Sequence, residues 1–291
     1  MLVHTFTVTI IYMLTPPQHM QAAETYPPRD LLLPPRAVVG PVWSVAETRL
    51  HTKQIPLPDG GFRPEVRGSD KQFTVEVLRL DPEGRPVTVL RHYLQATERR
   101  DAQTLRLDHD GAHVLLERRG DAWTPSVYRL RDGNRVDVAA NPVPLRRDAL
   151  LADTQEQAYG LLTAHLPDAP LALQDSWQVD PAFLGDALES LTGLVDDETL
   201  LHLTLREVTD TRIVLALGGT VTFAATAKGG ARMRWQGKLS GGIVLARGPY
   251  RELSRHLTVD ETVTLTLDGR TVTGTGKLTL SRTMSPVPPK S

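Results

Sequence analysis

The chain has 291 residues with no cysteine, and 33 Lys and Arg against 34 Asp and Glu give a formal net charge of −1. The missing cysteines remove disulfides, thiol catalysis, zinc–thiolate and iron–sulfur ligation and a bacterial lipoprotein acylation site. Balanced charge and only 5% aromatic residues argue against the basic face and stacking platform of a nucleic-acid binder. A chain of this length buries roughly three quarters of its unfolded surface, as one large domain or two smaller ones.

Residues 5–14, TFTVTIIYML, form an apolar run too short for a bilayer but of the length of a signal-peptide core. No Lys or Arg precedes Arg29, and a cleavage after Ala23 would place Gln21 where a small residue is preferred. The expectation is export to the periplasm or beyond, through an atypical leader. Residues 15–37 carry Pro16, Pro17, Pro27, Pro28, Pro34 and Pro35, so residues 1–37 read as a leader plus an extended linker.

Strand signals dominate from residue 38. QFTVEVLRL (72–80) and VTVLRHYLQ (87–95) flank the turn Asp81-Pro82-Glu83-Gly84. TLRLDHDGAHVLLERR reads as a hairpin about Asp110-Gly111, with Leu107 opposite Val114 and Leu105 opposite Leu116. SVYRL (126–130) and RVDVA (135–139) flank Asp132-Gly133-Asn134, completing a first β-rich half over 38–140. Residues 141–195 read as a helical connection. In it, 153–165 has a capping Asp153, and 180–194 has Asp180 at N-cap, Pro181 at N1 and a stripe of Phe183, Leu184, Leu188, Leu191 and Leu194. Strands resume over 196–283, as LLHLTL, RIVLALGG, VTFAAT, ARMRWQGKLSG, GIVLA and a final hairpin. Residues 284–291, MSPVPPKS, read as a disordered tail. Trp-x-Val occurs in VGPVWSV (39–45) and LQDSWQV (173–179), each ahead of a run of hairpins, which suggests two related β-halves, the second starting near 170.

The final hairpin is the clearest element. Asp268-Gly269 sets Leu267 opposite Arg270, Leu265 opposite Val272, Val263 opposite Gly274, Val259 opposite Leu278 and Leu257 opposite Leu280. The alternate face pairs threonines and sets Asp260 opposite Lys277, as in a half-buried antiparallel sheet.

Chemistry-bearing patterns are few. There is no Gly-x-Ser-x-Gly elbow and no Ser-x-x-Lys, and Ser190 has no base placed near it. The nine histidines are scattered without a His-Glu-x-x-His helix. Asp108 and His113 would face each other across the Asp110-Gly111 turn, and are read as a solvated pair more readily than as cation ligands. Asp-Pro-Glu-Gly at 81–84 lacks the spaced carboxylates of a calcium loop. The glycine pairs at 218–219, 229–230 and 241–242 read as turns between strands, since none opens a helix. One irregularity stands out: Glu261 falls on the apolar face, opposite Gly276 and beside Gly274, with Trp235 in the apolar phase of a neighbouring strand. Glu261 is expected at a solvated sheet margin; pairing with an arginine or lining a ligand cavity are the alternatives. Glu261, Gly274, Gly276 and Trp235 are therefore the candidate ligand-binding residues, with no catalytic residue, metal site or cofactor expected.

Leu166-Pro167-Asp168-Ala169-Pro170-Leu171 followed by Gln174-Asp175-Ser176-Trp177 resembles a segment of uncharacterised exported bacterial proteins, Leu-Pro-x-x-Pro-Leu leading to Gly-Asp-x-Trp, with Gln174 in place of the glycine. The likeness covers about twelve residues and implies no activity. More loosely, long antiparallel strands with a few amphipathic helices resemble the helix-plugged β-cups of LolA-type periplasmic lipoprotein carriers. The expected fold is mainly β, with long curved antiparallel sheets in two halves and two connecting helices. The expected role is a non-enzymatic exported protein that binds a lipid or other apolar ligand on a concave sheet. A structural or protein-interaction module of the envelope is the alternative, and a hydrolase ranks last. No nucleic acid partner and no transmembrane span in the mature chain are expected.

Overall fold

The structure is a computed structural model. It describes residues 24–33, 37–57, 59–120, 122–138, 162–163, 165–179, 194–195, 199–226, 232–249 and 251–288. Three short elements lead: β1 (Thr25–Tyr26), α1 (Pro28–Leu31) and β2 (Leu32–Leu33). Long strands follow: β3 (Val42–Pro56), β4 (Phe62–Leu80), β5 (Pro86–Arg100), β6 (Gln103–Arg106), β7 (His113–Arg119), β8 (Ala122–Arg131) and β9 (Asn134–Asp137). After them come β10 (Leu171–Ala172), β11 (Ser176–Val179), β12 (Leu194–Val195), β13 (Leu200–Val208), β14 (Arg212–Thr226) and β15 (Arg232–Ala246). The last are β16 (Gly248–Pro249), β17 (Glu252–Leu267) and β18 (Arg270–Pro286). The mainly β, antiparallel architecture is as the sequence patterning predicts. The two expected helices lie almost wholly outside the described residues; Leu162 and Thr163 are helical, and Leu194 belongs to β12 instead.

One sheet carries nearly everything, in the order β11-β13-β14-β15-β17-β18-β3-β4-β5-β7-β8-β9. It is two meanders laid side by side, the later one in sequence placed first, joined where β18 pairs with β3 from Gly276↔Lys53 to Pro286↔Trp43. The Trp-x-Val segments open the two meanders: Trp43 lies in β3 and Trp177 in β11, so the second begins within residues read as connection. Two other boundaries move. Residues 24–33, read as linker, pair with the second meander through β1–β10 and β2–β16, and Leu31 and Leu32 are core residues. Residues 284–286, read as tail, extend β18, and the Val287 N–H reaches the Val42 carbonyl at 2.9 Å. In both cases partners distant in sequence capture a proline-containing segment at strand ends, where a missing N–H is tolerated.

The β17–β18 register is the expected one at every pair from Leu257↔Leu280 to Leu267↔Arg270, with Asp268 and Gly269 both at positive φ. The hairpin expected about Asp110-Gly111 is absent. Asp101-Ala102 makes the turn instead, and β6 and β7 both pair with β5, so residues 107–112 are an excursion within one strand path. The excursion leaves the Ala96 N–H without a strand partner, and the Asp110 carboxylate accepts it at 2.7 Å. Asp108 therefore does not face His113; the Asp108 carbonyl accepts from Arg129, and His113 stands opposite His92 and Tyr128. The Asp81–Arg85 turn is a charge-capped loop: the Asp81 carboxylate accepts the Glu83 and Arg85 N–H groups and the Arg85 side chain. The Arg85 N–H, followed by its guanidinium, holds the Asp81 carboxyl below the usual range.

Alternation buries one face of the sheet, here called the inner face. In the second meander that face is aliphatic: Leu201, Leu203, Leu205, Ile213, Leu215, Leu217, Leu239, Ile243, Leu257, Val259 and Leu278 join one cluster, with Leu31, Leu32, Leu162 and Leu171 packed on it. In the first meander it is mixed: Val45, Phe73, Tyr93, Val114, Leu116 and Val127 cluster with Ala96 and Ala112. Between the two clusters the inner residues of β3 are Glu47, Arg49, His51 and Lys53, so the seam is polar.

Candidate functional site

The site lies on the inner face at the β15–β17–β18–β3–β4 end. Cross-strand registers define its rows. Gly237, Glu261, Gly276, Lys53 and Glu65 stand in one row across five strands. The next row holds Phe223, Trp235, Val263 and Gly274, and the one beyond it Met233, Leu265 and Val272. The four candidate residues Glu261, Gly274, Gly276 and Trp235 thus share one face in two adjacent rows.

Glu261 is not at a margin. Its Oε1 lies 2.6 Å from His51 Nε2, and the two side chains are 2% and 1% exposed. The carboxylate crosses β18 to reach β3, and Gly276 is what lets it: a Cβ there would press on Glu261 Oε1 and lie 2.8 Å from Lys53 Cβ. The expected solvated carboxylate is therefore a buried group hydrogen-bonded to a histidine of the other meander. A buried acid in an apolar sheet needs such a partner.

Beyond this pair the face is apolar. Val263 and Leu265 are buried at 1% and 5% exposure, while Met233, Trp235 and Val272 are half-buried. Among the described residues Val263 and Leu265 join neither core cluster. Trp235 packs against that core, and its indole Nε1 is buried with no hydrogen-bond partner. Gly274 brings the backbones together: a Cβ would collide with the Gln54 carbonyl oxygen.

On the other side of Gly276 the face is cationic. The Glu65 carboxylate has Arg67 Nε at 3.0 Å, Lys53 Nζ at 3.3 Å and Arg63 Nη2 at 3.7 Å. Its Oε1 makes no aligned hydrogen bond despite these neighbours. Lys53 is largely buried, whereas Arg63 and Arg67 are 64% and 57% exposed.

His51, Lys53 and Glu65 escaped the sequence reading. The inner face of β3 is polar over Glu47–Lys53, so alternation gives no apolar signal there, and His51 meets Glu261 across 210 residues of sequence. The unmatched carboxylate in β17 was the one legible trace.

A second group of ionisable residues lies in the first meander. His109, from the excursion, packs edge-on against Tyr93 with ring centroids 4.5 Å apart, and its Nε2 is buried without a partner. Burial, with help from Lys71 and Arg91 and against Asp108 and Asp110, lowers its pKa to about 4. On the opposite face His92 and His113 stack at 4.2 Å, and Tyr128 stacks on His113 at 5.2 Å. Burial and then His92 depress the His113 pKa. No group of three or more His, Asp or Glu able to hold a metal ion occurs among the described residues. No described helix is long and apolar enough to cross a membrane, which says nothing of crossing by strands.

No family model matches the sequence, and no curated protein matches it. Among solved structures the chain is similar to lipovitellin, in a structure concerned with its lipid–protein interactions, at 12% identity and TM-score 0.38. That match covers 87% of this chain and 26% of lipovitellin, so the chain spans about a quarter of that protein's length. An outer membrane channel from Pseudomonas putida F1 aligns at 12% identity and TM-score 0.20, over 91% of this chain and all of the channel. At these scores neither likeness carries an argument about ligand or role.

Proposed function

We propose that this chain is an exported, non-enzymatic binding protein that holds an apolar ligand, such as an acyl chain, against the inner face of its sheet. The observation that carries the reading is the apolar strip of Met233, Trp235, Val263, Leu265 and Val272. Val263 and Leu265 join neither core cluster among the described residues, Trp235 borders the aliphatic core, and Gly274 lies in the same row as Trp235 and Val263. A strip whose aromatic member is half-buried, with an unpartnered indole N–H, has the make-up of a ligand wall: mostly apolar surface with a few polar groups. The Glu261–His51 pair sets its inner limit.

Docking of a protein strand at the sheet edge is less favoured. The β9 edge has only four residues, and the Arg135–Asp137 ion pair at 2.8 Å places charge on it, a common protection against strand addition.

Native mass spectrometry of the protein purified from its own host tests the reading. A co-purifying lipid that is lost in Trp235→Ala, with the fold intact by circular dichroism, supports it. A ligand-free protein that also fails to bind added alkyl chains overturns it.

A further inference from the structure

Three of the nine histidines meet at the 107–112 excursion, on both faces of the sheet. The Tyr93 N–H donates to the Ala112 carbonyl at 2.9 Å, and the next residue along each strand places His92 opposite His113. His92 and His113 stack on the outer face. On the inner face His109 packs on Tyr93, whose ring lies 4.9 Å from that of Phe73. The excursion thus closes over a floor of Phe73, Tyr93 and Ala96, all buried. Polar contacts fasten it. The Leu107 N–H donates to the Ala96 carbonyl at 2.9 Å, and the Ala96 N–H to the Asp110 carboxylate at 2.7 Å. Arg129 Nη2 donates to the Asp108 and Asp110 carbonyls, both at 3.1 Å.

Two of the three rings have no place for a second proton. His109 Nε2 and His113 Nδ1 are buried without a hydrogen-bond partner. A neutral imidazole leaves an acceptor nitrogen there, whereas an imidazolium must donate from both nitrogens. Protonation therefore puts a charge and an unsatisfied N–H in the interior. The surroundings do not offset this. Lys71 on β4 and Arg91 on β5 oppose a charge on His109; Asp108 and Asp110 favour it, and burial outweighs both acids. Lys71 has Glu47 at 3.5 Å, and Asp110 has Arg106 at 3.8 Å. His113 lies between His92 and Tyr128, and the Arg135 guanidinium, paired with Asp137, lies 4.4 Å from the Tyr128 ring centroid.

We infer that residues 107–112 are an acid-released strap. Protonation of His109 on the inner face, and of His113 against His92 on the outer face, frees the segment and uncovers Phe73, Tyr93 and Ala96. On either side of it β6 and β7 keep their own pairing with β5. Once released, His109 takes up a proton near pH 6.5, which the closed strap refuses until about pH 4. The open fraction therefore rises as pH falls through that window. His109 alone gives a rise of about twentyfold from about pH 7 to about pH 5. Burial and His92 lower the His113 pKa as well, so His113 adds to the rise.

Hydrogen exchange of the full chain, read as protection factors at two pH values, tests the strap. The Tyr93, Ala96 and Leu107 amides are expected to lose at least about twentyfold in protection from about pH 7 to about pH 5. At the lower pH they should be less protected than the Leu203 amide of the second meander. His109→Phe/His113→Phe keeps a ring at each position without its titrating nitrogens, and is expected to hold the loss to within about twofold. Wild-type protection that is the same at both pH values overturns the inference without any variant. Strap amides as well protected as Leu203 at the lower pH also overturn it, because the strap then opens only when the whole chain unfolds. Asp110→Asn retains an acceptor for the Ala96 N–H but does not titrate. A pH response lost in that variant moves the trigger to the carboxylate and overturns the histidine switch.

Discussion

The two meanders bury the same face of one sheet by different means. The second packs an aliphatic inner face, nearly pure leucine, isoleucine and valine, under residues from elsewhere: Leu31, Leu32, Leu162 and Leu171. The first uses Phe73, Tyr93 and a buried Arg91, and covers them with its own excursion, 107–112, which drops His109 and Ala112 onto the face. One core is assembled by long-range capture, and the buried Glu252 and Glu261 of its strand β17 are each held by a basic side chain. The other is assembled locally and carries a buried histidine. Where they meet, the seam is held by a polar contact, His51 with Glu261, and by the Arg251 guanidinium 3.9 Å from the Trp43 ring centroid.

The seam gives the largest expected effect. His51→Ala leaves Glu261 buried without its partner and is expected to cost about 4 kcal/mol, read from urea unfolding. His51→Ala/Glu261→Leu should recover much of that loss. A single-variant cost below about 1 kcal/mol would mean that the pair does not couple the halves. Next is the aliphatic core: Leu203→Ala should cost about 3 kcal/mol, and more than Val114→Ala in the first meander, because both are fully buried and the larger side chain is lost.

The third prediction separates the halves by pH. Unfolded, His109 titrates near 6.5; folded, it is held down at about 4. The unfolded chain therefore binds the extra proton between these values, and stability present above pH 6.5 is lost as pH falls toward 4. The loss should reach about 2 kcal/mol near pH 5. His109→Phe should flatten that part of the stability–pH curve, measured by urea midpoints at several pH values. An unchanged slope would place the titrating group elsewhere.

The smallest effects distinguish the two Asp-Gly pairs. Asp110→Ala removes the acceptor of the Ala96 N–H and should cost about 1.5 kcal/mol. Asp268→Ala sits in an exposed turn and should cost about 0.5 kcal/mol. Equal costs would show that the Asp110 carboxylate is not what holds the excursion.

These two dipeptides show how far the sequence could be read. At Asp268-Gly269 eleven alternating residues flank each side and agree on one register, and the structure has that register. At Asp110-Gly111 the flanks also alternate, but Asp101 takes a positive φ in the true turn and β5 offers partners to both β6 and β7. A local turn signal loses when a longer strand can satisfy the same backbone groups. The same competition explains why runs read as separate strands, 212–219 with 221–226 and 231–241 with 242–246, become the single strands β14 and β15. Glycines bend a strand without ending it.

Of the site, the sequence showed one member of the Glu261–His51 contact and neither member of the Lys53–Glu65 pair. It showed Glu261 misplaced on an apolar face, Gly274 and Gly276 beside it, and Trp235 in phase; the structure gathers all four. It could not show His51, Lys53 or Glu65, because no local pattern links β3 to β18.

The sequence by itself determined the β class, the face each residue of the final hairpin takes, and the absence of thiol chemistry. Those follow from period-two alternation, from a turn that needs positive φ and from composition, all of them local. Only the tertiary structure decided that the second meander lies before the first, that residues 24–33 belong to the core, and that Glu261 is a buried partner of His51. These are pairings between segments far apart in the chain. They are selected by which distant backbone edge and which buried polar group remain to be satisfied once the local structure has formed.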